Sequence, residues 1–363
     1  MIPQPSADMP TRLPTALSPA LPSVVPFAGL TPDGILDALE SVGFQCDGGL
    51  HALNSYENRV WQIGMLDSPP CIAKFYRPGR WSDAQIAEEH AFVAEMQAAE
   101  LPVVAPLVIG GKRLFSYINP ASTTPFRFAV YPRQGGRAPE FDDPRVLEWM
   151  GRLMARIHQV GERIPFVCRE TLAIESFGYE PRNWLLEHEI LPVELEHIWQ
   201  SVADQALDGI EHCFERAGHV QQIRLHGDCH AGNVLWTPGT LDDGVEHAAG
   251  PHFVDFDDAR MGPAVQDLWM LLSGTNDEMG RQFRHVLAGY ELFRDFDDNE
   301  IQLIEALRTL RLLHHSAWLA RRWQDPAFPA AFPWFATKRY WEERILELRE
   351  QIARMQEPAL VMD

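Results

Sequence analysis

Asp228, Asn233 and Asp255 stand out in this chain as a candidate catalytic set. They comprise an aspartate, an asparagine five positions on, and a second aspartate after a short apolar run. They lie in Leu225-His226-Gly227-Asp228-Cys229-His230-Ala231-Gly232-Asn233-Val234 and in Phe253-Val254-Asp255-Phe256-Asp257. Phosphoryl transfer needs such a set: a carboxylate to orient and deprotonate an attacking hydroxyl, and oxygen ligands for metal ions that bridge phosphates. Asp228 suits the first role as general base, and Asn233 with Asp255 the second as Mg²⁺ ligands. The interval matches the H-R-D-x-x-x-x-N order of protein kinases, with D-F-D where those carry D-F-G.

A phosphate site also needs a cation. Lys74 ends the apolar run Cys71-Ile72-Ala73, as the lysine does in the V-A-I-K strand of kinases. On the helix expected next, Ile86, Glu89, Val93 and Met96 share one face, whereas Glu88 points elsewhere. A carboxylate on an apolar face needs a partner. Lys74 is the candidate, giving a lysine-glutamate clamp for nucleotide phosphates. His90 flanks that face and reads as an ordinary half-buried histidine.

Two neighbouring features carry competing readings. His226, Cys229, His230 and His252 could be taken as zinc ligands, but H-x-x-C-H is not a structural-zinc spacing and leaves the aspartate-asparagine interval unexplained. Asp257 and Asp258 could tune a second Mg²⁺ or face solvent and Arg260, and the second reading is preferred. Asp267 follows Gly262-Pro263 at a helix start, where the macrodipole favours a carboxylate.

H-G-D-x-x-x-x-N followed by a hydrophobic-flanked aspartate resembles the aminoglycoside phosphotransferase and choline kinase superfamily. From Leu53 to about Trp334 the chain is similar to its stress response kinase A (RdoA) group. The segments carrying the likeness are Leu53-Asn54-Ser55-Tyr56-Glu57-Asn58-Arg59-Val60, Lys74-Phe75-Tyr76-Arg77-Pro78, the catalytic run, and Asp257-Asp258-Ala259-Arg260 leading into Gly262-Pro263-Ala264-Val265-Gln266-Asp267-Leu268-Trp269. The first contains no G-x-G-x-x-G. Such a loop must approach phosphates with hydroxyl and backbone donors from Ser55, Tyr56 and Asn58, and the resemblance implies that Ser55 lies against ATP and that Ala129 to Pro132 offer backbone groups to adenine. It also implies that Asp267 ties down the catalytic loop, Ser/Thr residues of proteins as acceptors, and a role in stress survival.

The elements that must position these residues read as α+β: a two-lobed protein-kinase-like fold with a small β-rich N-lobe and a larger helical C-lobe. Residues 1–26 hold seven prolines and read as a flexible leader, residues 27–133 as the nucleotide-binding N-lobe, and residues 134–363 as the C-lobe. Helical periodicity begins at Thr31, and a turn is expected at Asp47-Gly48-Gly49. Strands are expected over 58–63, 71–76, 103–109, 114–118 and 126–131, with a capping box at Ser82 and Gln85. Helices are expected over 146–160, 192–217, 265–272, 279–293 and 300–322. The aromatic stretch from Trp318 to Phe335 reads first as packing and second as a recognition surface.

Composition narrows the partners. The 363 residues include 31 basic and 51 acidic side chains, a net charge of −20 that repels nucleic acid and anionic membrane surfaces. Five scattered cysteines without a C-x-x-C pair argue against a disulfide framework. No apolar run nears the roughly 20 residues that span a bilayer, and no signal-peptide layout opens the chain. The expectation is a monomeric, cytoplasmic, ATP- and Mg²⁺-dependent kinase without an activation segment, since too few residues separate Asp255 from Asp267. Two alternatives stay open: a small-molecule kinase for an aminoglycoside, choline or homoserine, and a non-catalytic pseudokinase binding module.

Overall fold

The computed structural model describes residues 25–119, 125–237, 240–242, 245–247 and 250–360. The proline-rich leader expected over residues 1–26 lies outside them except at its last two positions. In chain order the helices and strands are α1 (Pro32–Glu40), β1 (Cys46–Ala52), β2 (Arg59–Met65), β3 (Cys71–Phe75), α2 (Asp83–Ala98), β4 (Phe115–Tyr117), β5 (Phe126–Pro132) and α3 (Pro144–Gly161), then α4 (Glu180–Glu187), α5 (Val193–Ala217), β6 (Ile223–Leu225), β7 (Val234–Thr237), β8 (Thr240–Asp242), β9 (Val245–His247), β10 (Gly250–Phe253) and β11 (Arg260–Gly262), and finally α6 (Val265–Trp269), α7 (Asn276–Tyr290), α8 (Ile304–Arg321), α9 (Ala327–Ala331) and α10 (Lys338–Gln356).

By packing, the chain divides into two compact units. One comprises Pro26–Leu172 with Arg216–Ile304, and the other Ala173–Glu215 with Glu305–Glu357. The first contains every residue of the proposed chemistry. Its five-stranded antiparallel sheet has the order β1-β2-β3-β5-β4. Alternation along β3 sends Ala73 and Phe75 into a core with Ile63, Phe126, Phe128, Val130 and the apolar face of α1, so Ile72 and Lys74 point to the other side.

Two local expectations differ from the structure. Asp47-Gly48-Gly49 lies inside β1, where the pairing with β2 shifts register between Cys46 and Leu50. Gly48 there has φ +88°, so the glycines make a bulge instead of ending the strand. The run 103–109 forms no strand: Val103 makes a single parallel bridge to Phe253, and Leu107 donates to the Val130 carbonyl at 2.7 Å. Pro102 and Pro106 remove the donors that a ladder would need.

Helix α2 starts at the expected capping box, with Ser82 accepting from the Gln85 N–H and Gln85 from that of Ser82. It buries Ile86, Glu89, His90, Phe92, Val93 and Met96. Elsewhere in this unit β6 pairs with β11 and β7 with β10. Residues 226–233 join β6 to β7, and residues 254–259 join β10 to β11, so the two loops of the proposed chemistry run side by side. The second unit is helical. In it Trp323, Phe328, Phe335 and Trp341 are buried, and the Trp318 and Phe328 rings lie 5.0 Å apart, as the packing reading of the aromatic stretch requires.

Candidate active site

The first loop is held from behind. Asp267, fully buried in the first turn of α6, accepts the N–H groups of His226 and Gly227 at 2.8 Å each. His158 Nε2 lies 3.3 Å from the same carboxylate, and its Nδ1 lies 2.8 Å from the Tyr290 hydroxyl. Burial lowers the His158 pKa, so a neutral ring donates through Nε2 to Asp267. His226 braces the loop from within: Nε2 lies 3.0 Å from the Val254 carbonyl and Nδ1 accepts the Asp228 N–H at 3.3 Å. Asn233 Nδ2 donates to the Asp228 carbonyl at 2.9 Å and lies 3.4 Å from its Oδ2. His230 Nε2 is also 3.4 Å from that oxygen. The Asp228 carboxylate is thereby fixed while its side chain keeps 21 % exposure.

Asp255 opens the second loop in the left-handed region, with φ 59° and ψ 63°, a conformation that costs a non-glycine residue roughly 1–3 kcal/mol. Its half-exposed side chain accepts from Lys74 Nζ at 2.8 Å. Asp257 is buried and does not face solvent as preferred from sequence, whereas the Asp258 side chain keeps 31 % exposure. Arg80 spans them, Nη1 to Asp257 and Nη2 to Asp258, at 2.7 Å each. Arg260 meets Asp258, as anticipated, at 2.7 Å. Burial raises the Asp257 pKa, but Lys74 and Arg80 outweigh it and hold the carboxyl at about 2.

The expected Lys74–Glu89 pair is replaced by two others. Lys74 Nζ contacts Asp255 and, at 3.2 Å, Asp257, and these carboxylates keep the buried ammonium charged against the pull of desolvation. Glu89 pairs instead with Arg169 Nη2 at 3.0 Å. Burial pushes the Glu89 carboxyl up to about 7, opposed by Lys74 and Arg169. Arg169 also donates to the carbonyls of Gln85, Asp257 and Ala259, which ties α2 to the second loop. Glu88 does point elsewhere, accepting the N–H groups of Val167, Cys168 and Arg169. His90 is more buried than expected, with Nε2 2.7 Å from the Tyr76 hydroxyl.

Asn58 is corrected in the same way. Only 2 % exposed, it accepts the Arg77 N–H through Oδ1 at 3.1 Å and braces the loop between β1 and β2 from inside. Ser55 does line the cleft, with its hydroxyl 3.3 Å from the Asn58 carbonyl. Arg80 and Arg169 join the site without any sign in the sequence. Asp257 and Asp258 lie 177 and 178 positions from Arg80, and Glu89 lies 80 from Arg169, so no local pattern announces these pairs.

Leu53, Ser55, Val60, Ile72, Lys74, Glu89, Tyr131, Pro132, Asn233 and Asp255 line one cleft of about 250 Å³. Apolar walls from Val60, Ile72, Val93, Val104 and Leu235 therefore lead to a charged end, the layout that suits a base attached to phosphates.

The profile of the phosphotransferase enzyme family (APH) matches residues 50–304. The chain is 42 % identical over 338 residues to "Stress response kinase A" of Escherichia coli (strain K12), covering 93 % of this chain and 97 % of the relative. It is 41 % identical over 334 residues to "Serine/threonine protein kinase RdoA" of Salmonella typhimurium (strain LT2), covering 92 % and 96 %. Among solved structures, a microcompartment-associated aminopropanol kinase superposes with a TM-score of 0.68 at 17 % identity, over 91 % of this chain and 99 % of that one. The amicoumacin kinase hAmiN, in complex with AMP-PNP, Ca²⁺ and Ami, gives 0.66 at 18 %, over 89 % and 94 %. These two likenesses speak for the fold alone, a kinase-like one with an antiparallel sheet and a helical part.

Proposed function

The chain belongs to the phosphotransferase enzyme family, and from that premise we propose an ATP- and Mg²⁺-dependent kinase whose acceptor is the serine or threonine hydroxyl of a protein. The observation that carries the reading is that Lys74, Asn233 and Asp255 line a single cleft, with the Asp228 carboxylate 3.4 Å from the Asn233 amide.

The donor set suits a hard cation. Asn233 directs its amide nitrogen to Asp228, which leaves its oxygen as acceptor, and the half-exposed Asp255 lines the same cleft. Among the described residues, no three His, Cys, Asp or Glu side chains are grouped to cage a metal. Two protein oxygens completed by phosphates and water is how Mg²⁺ is commonly held. When bound, Mg²⁺ and ATP supply the phosphoryl group and the neutralisation of its developing charge. The protein orients and neutralises. Asp228 takes the acceptor proton onto its carboxylate, Asp267 and His226 fix that carboxylate through the loop backbone, and Lys74 offers its charge to phosphate.

The names of the two relatives, similar along more than nine-tenths of the chain, support the protein acceptor and a role in stress response. The net charge of −20 favours a second reading, phosphorylation of a cationic small molecule such as an amino alcohol or aminoglycoside. No described helix is long and apolar enough to cross a membrane, and a monomer in the cytoplasm belongs to the same proposal.

The test is transfer of labelled γ-phosphate from MgATP, with and without casein, by the wild type and Asp228→Ala. Label on protein serine or threonine that the variant loses supports the reading. Transfer only to aminopropanol or an aminoglycoside moves the protein to the second one. Silence throughout leaves a binding module.

A further inference from the structure

Lys74 has two carboxylate neighbours within ion-pair distance, and both lie on the loop after β10. The shorter contact goes to Asp255, whose side chain is 49 % exposed and belongs to the proposed metal site. Three cationic side chains reach Asp257, the one at Oδ1 as an ion pair without a hydrogen bond. Its Oδ2 receives Arg80 at 2.7 Å, its Oδ1 faces Lys74 at 3.2 Å, and its main-chain carbonyl accepts from Arg169 at 2.8 Å. Arg80 is itself fixed by Asp258 and lies 3.4 Å from Glu57. The glutamate of α2, which would otherwise brace the lysine, is taken by Arg169.

We propose that Asp257, and not Glu89, is the positioning residue of Lys74, so that the lysine meant for phosphate is oriented by the metal-bearing loop itself. An aspartate two positions after Asp255 reaches Lys74 because Phe256–Asp258 form a single 3₁₀ turn that brings Asp257 to the same ammonium as Asp255. Arg80, placed after the turn that follows β3, keeps Asp257 from swinging to solvent. Arg169 then couples α2 to the same loop through Glu89 on one side and the Asp257 and Ala259 carbonyls on the other. The consequence is that the lysine and the metal ligand move together, while α2 reaches their loop through Arg169 and through Phe92, whose ring lies 6.2 Å from that of Phe256.

This inference rests on the kinase reading, and nucleotide binding separates the two. The experiment measures the affinity of a fluorescent ATP analogue in two double-mutant cycles, Lys74→Met with Asp257→Asn and Lys74→Met with Glu89→Gln, with melting curves to establish folding. Contacting residues couple, so the first cycle is expected to depart from additivity by roughly tenfold and the second by no more than about twofold. Additive effects in the first cycle, or equal coupling in the second, overturn the proposal. Should Asp257→Asn not fold, Asp257→Glu, which keeps the charge and displaces it by one methylene, enters the same cycle with the same expectation. A wild type that binds no ATP overturns both readings.

Discussion

Gly227 and Asp258 meet backbone to backbone: a Cβ on Gly227 would stand 2.2 Å from the Asp258 carbonyl oxygen. Gly227 also has φ +84°, a conformation that costs an L-residue about 1–2 kcal/mol. The glycine before the catalytic aspartate thus lets the base loop and the metal loop touch. Gly227→Ala should lower unfolding free energy by at least about 2 kcal/mol and reduce phosphate transfer, because the loops must part. Denaturant titration beside the transfer assay checks both effects, and wild-type values in either would contradict the contact.

Asp267 bears on the same loop from the other side. Removing it leaves the buried N–H groups of His226 and Gly227 and the His158 ring without their acceptor. At about 1–3 kcal/mol for each unsatisfied buried group, Asp267→Ala should lose at least about 3 kcal/mol of stability. Urea unfolding measures it.

Asp228→Ala is the opposite case. The carboxylate is part-exposed, and the loop is held mainly through its backbone and Asp267. Turnover should fall roughly 10²–10⁴-fold, the usual size of a lost general base, while the melting temperature stays near that of the wild type. Unchanged turnover would remove Asp228 from the mechanism.

Acid should destabilise the fold through His90. Burial, with Lys74 nearby, lowers its pKa from 6.5 to about 3. The ring is neutral in the folded state and accepts a proton more readily when unfolded. Its contribution is therefore complete above the unfolded value of 6.5 and is lost as pH falls from there towards 3. The slope is about 1.4 kcal/mol per pH unit. Stability measured at two pH values in that window should fall less steeply in His90→Gln than in the wild type, and equal slopes would refute the assignment.

What is legible in the sequence is local. The aspartate-asparagine interval, the capping box at Ser82, the lysine at the end of β3 and the inward face of α2 each depend on a few consecutive residues and one backbone period. Expectation and structure part where neighbours in sequence misreport neighbours in space. Gly48 and Gly49 signal a turn but serve a bulge inside β1. Asn58, in a loop of turn formers, reads as a phosphate donor and instead bonds to the Arg77 backbone. Helix α10 is not legible because its charged residues obscure the buried stripe of Tyr340, Trp341, Ile345 and Leu348.

The sequence by itself determined the chemistry available to this protein: which side chains could deprotonate a hydroxyl, hold a hard cation or meet a phosphate, because those capacities belong to residue types at short separations. Only the tertiary structure decided how the charges are shared. Five carboxylates, Glu57, Glu89, Asp255, Asp257 and Asp258, and five cations, Lys74, Arg77, Arg80, Arg169 and Arg260, meet around one site from distant parts of the chain. Coulomb attraction does not discriminate among carboxylates, so pairing follows distance and burial. Those are set by the 3₁₀ turn that lifts Asp257 to Lys74 and by the arginine that arrives from beyond α3 to take Glu89.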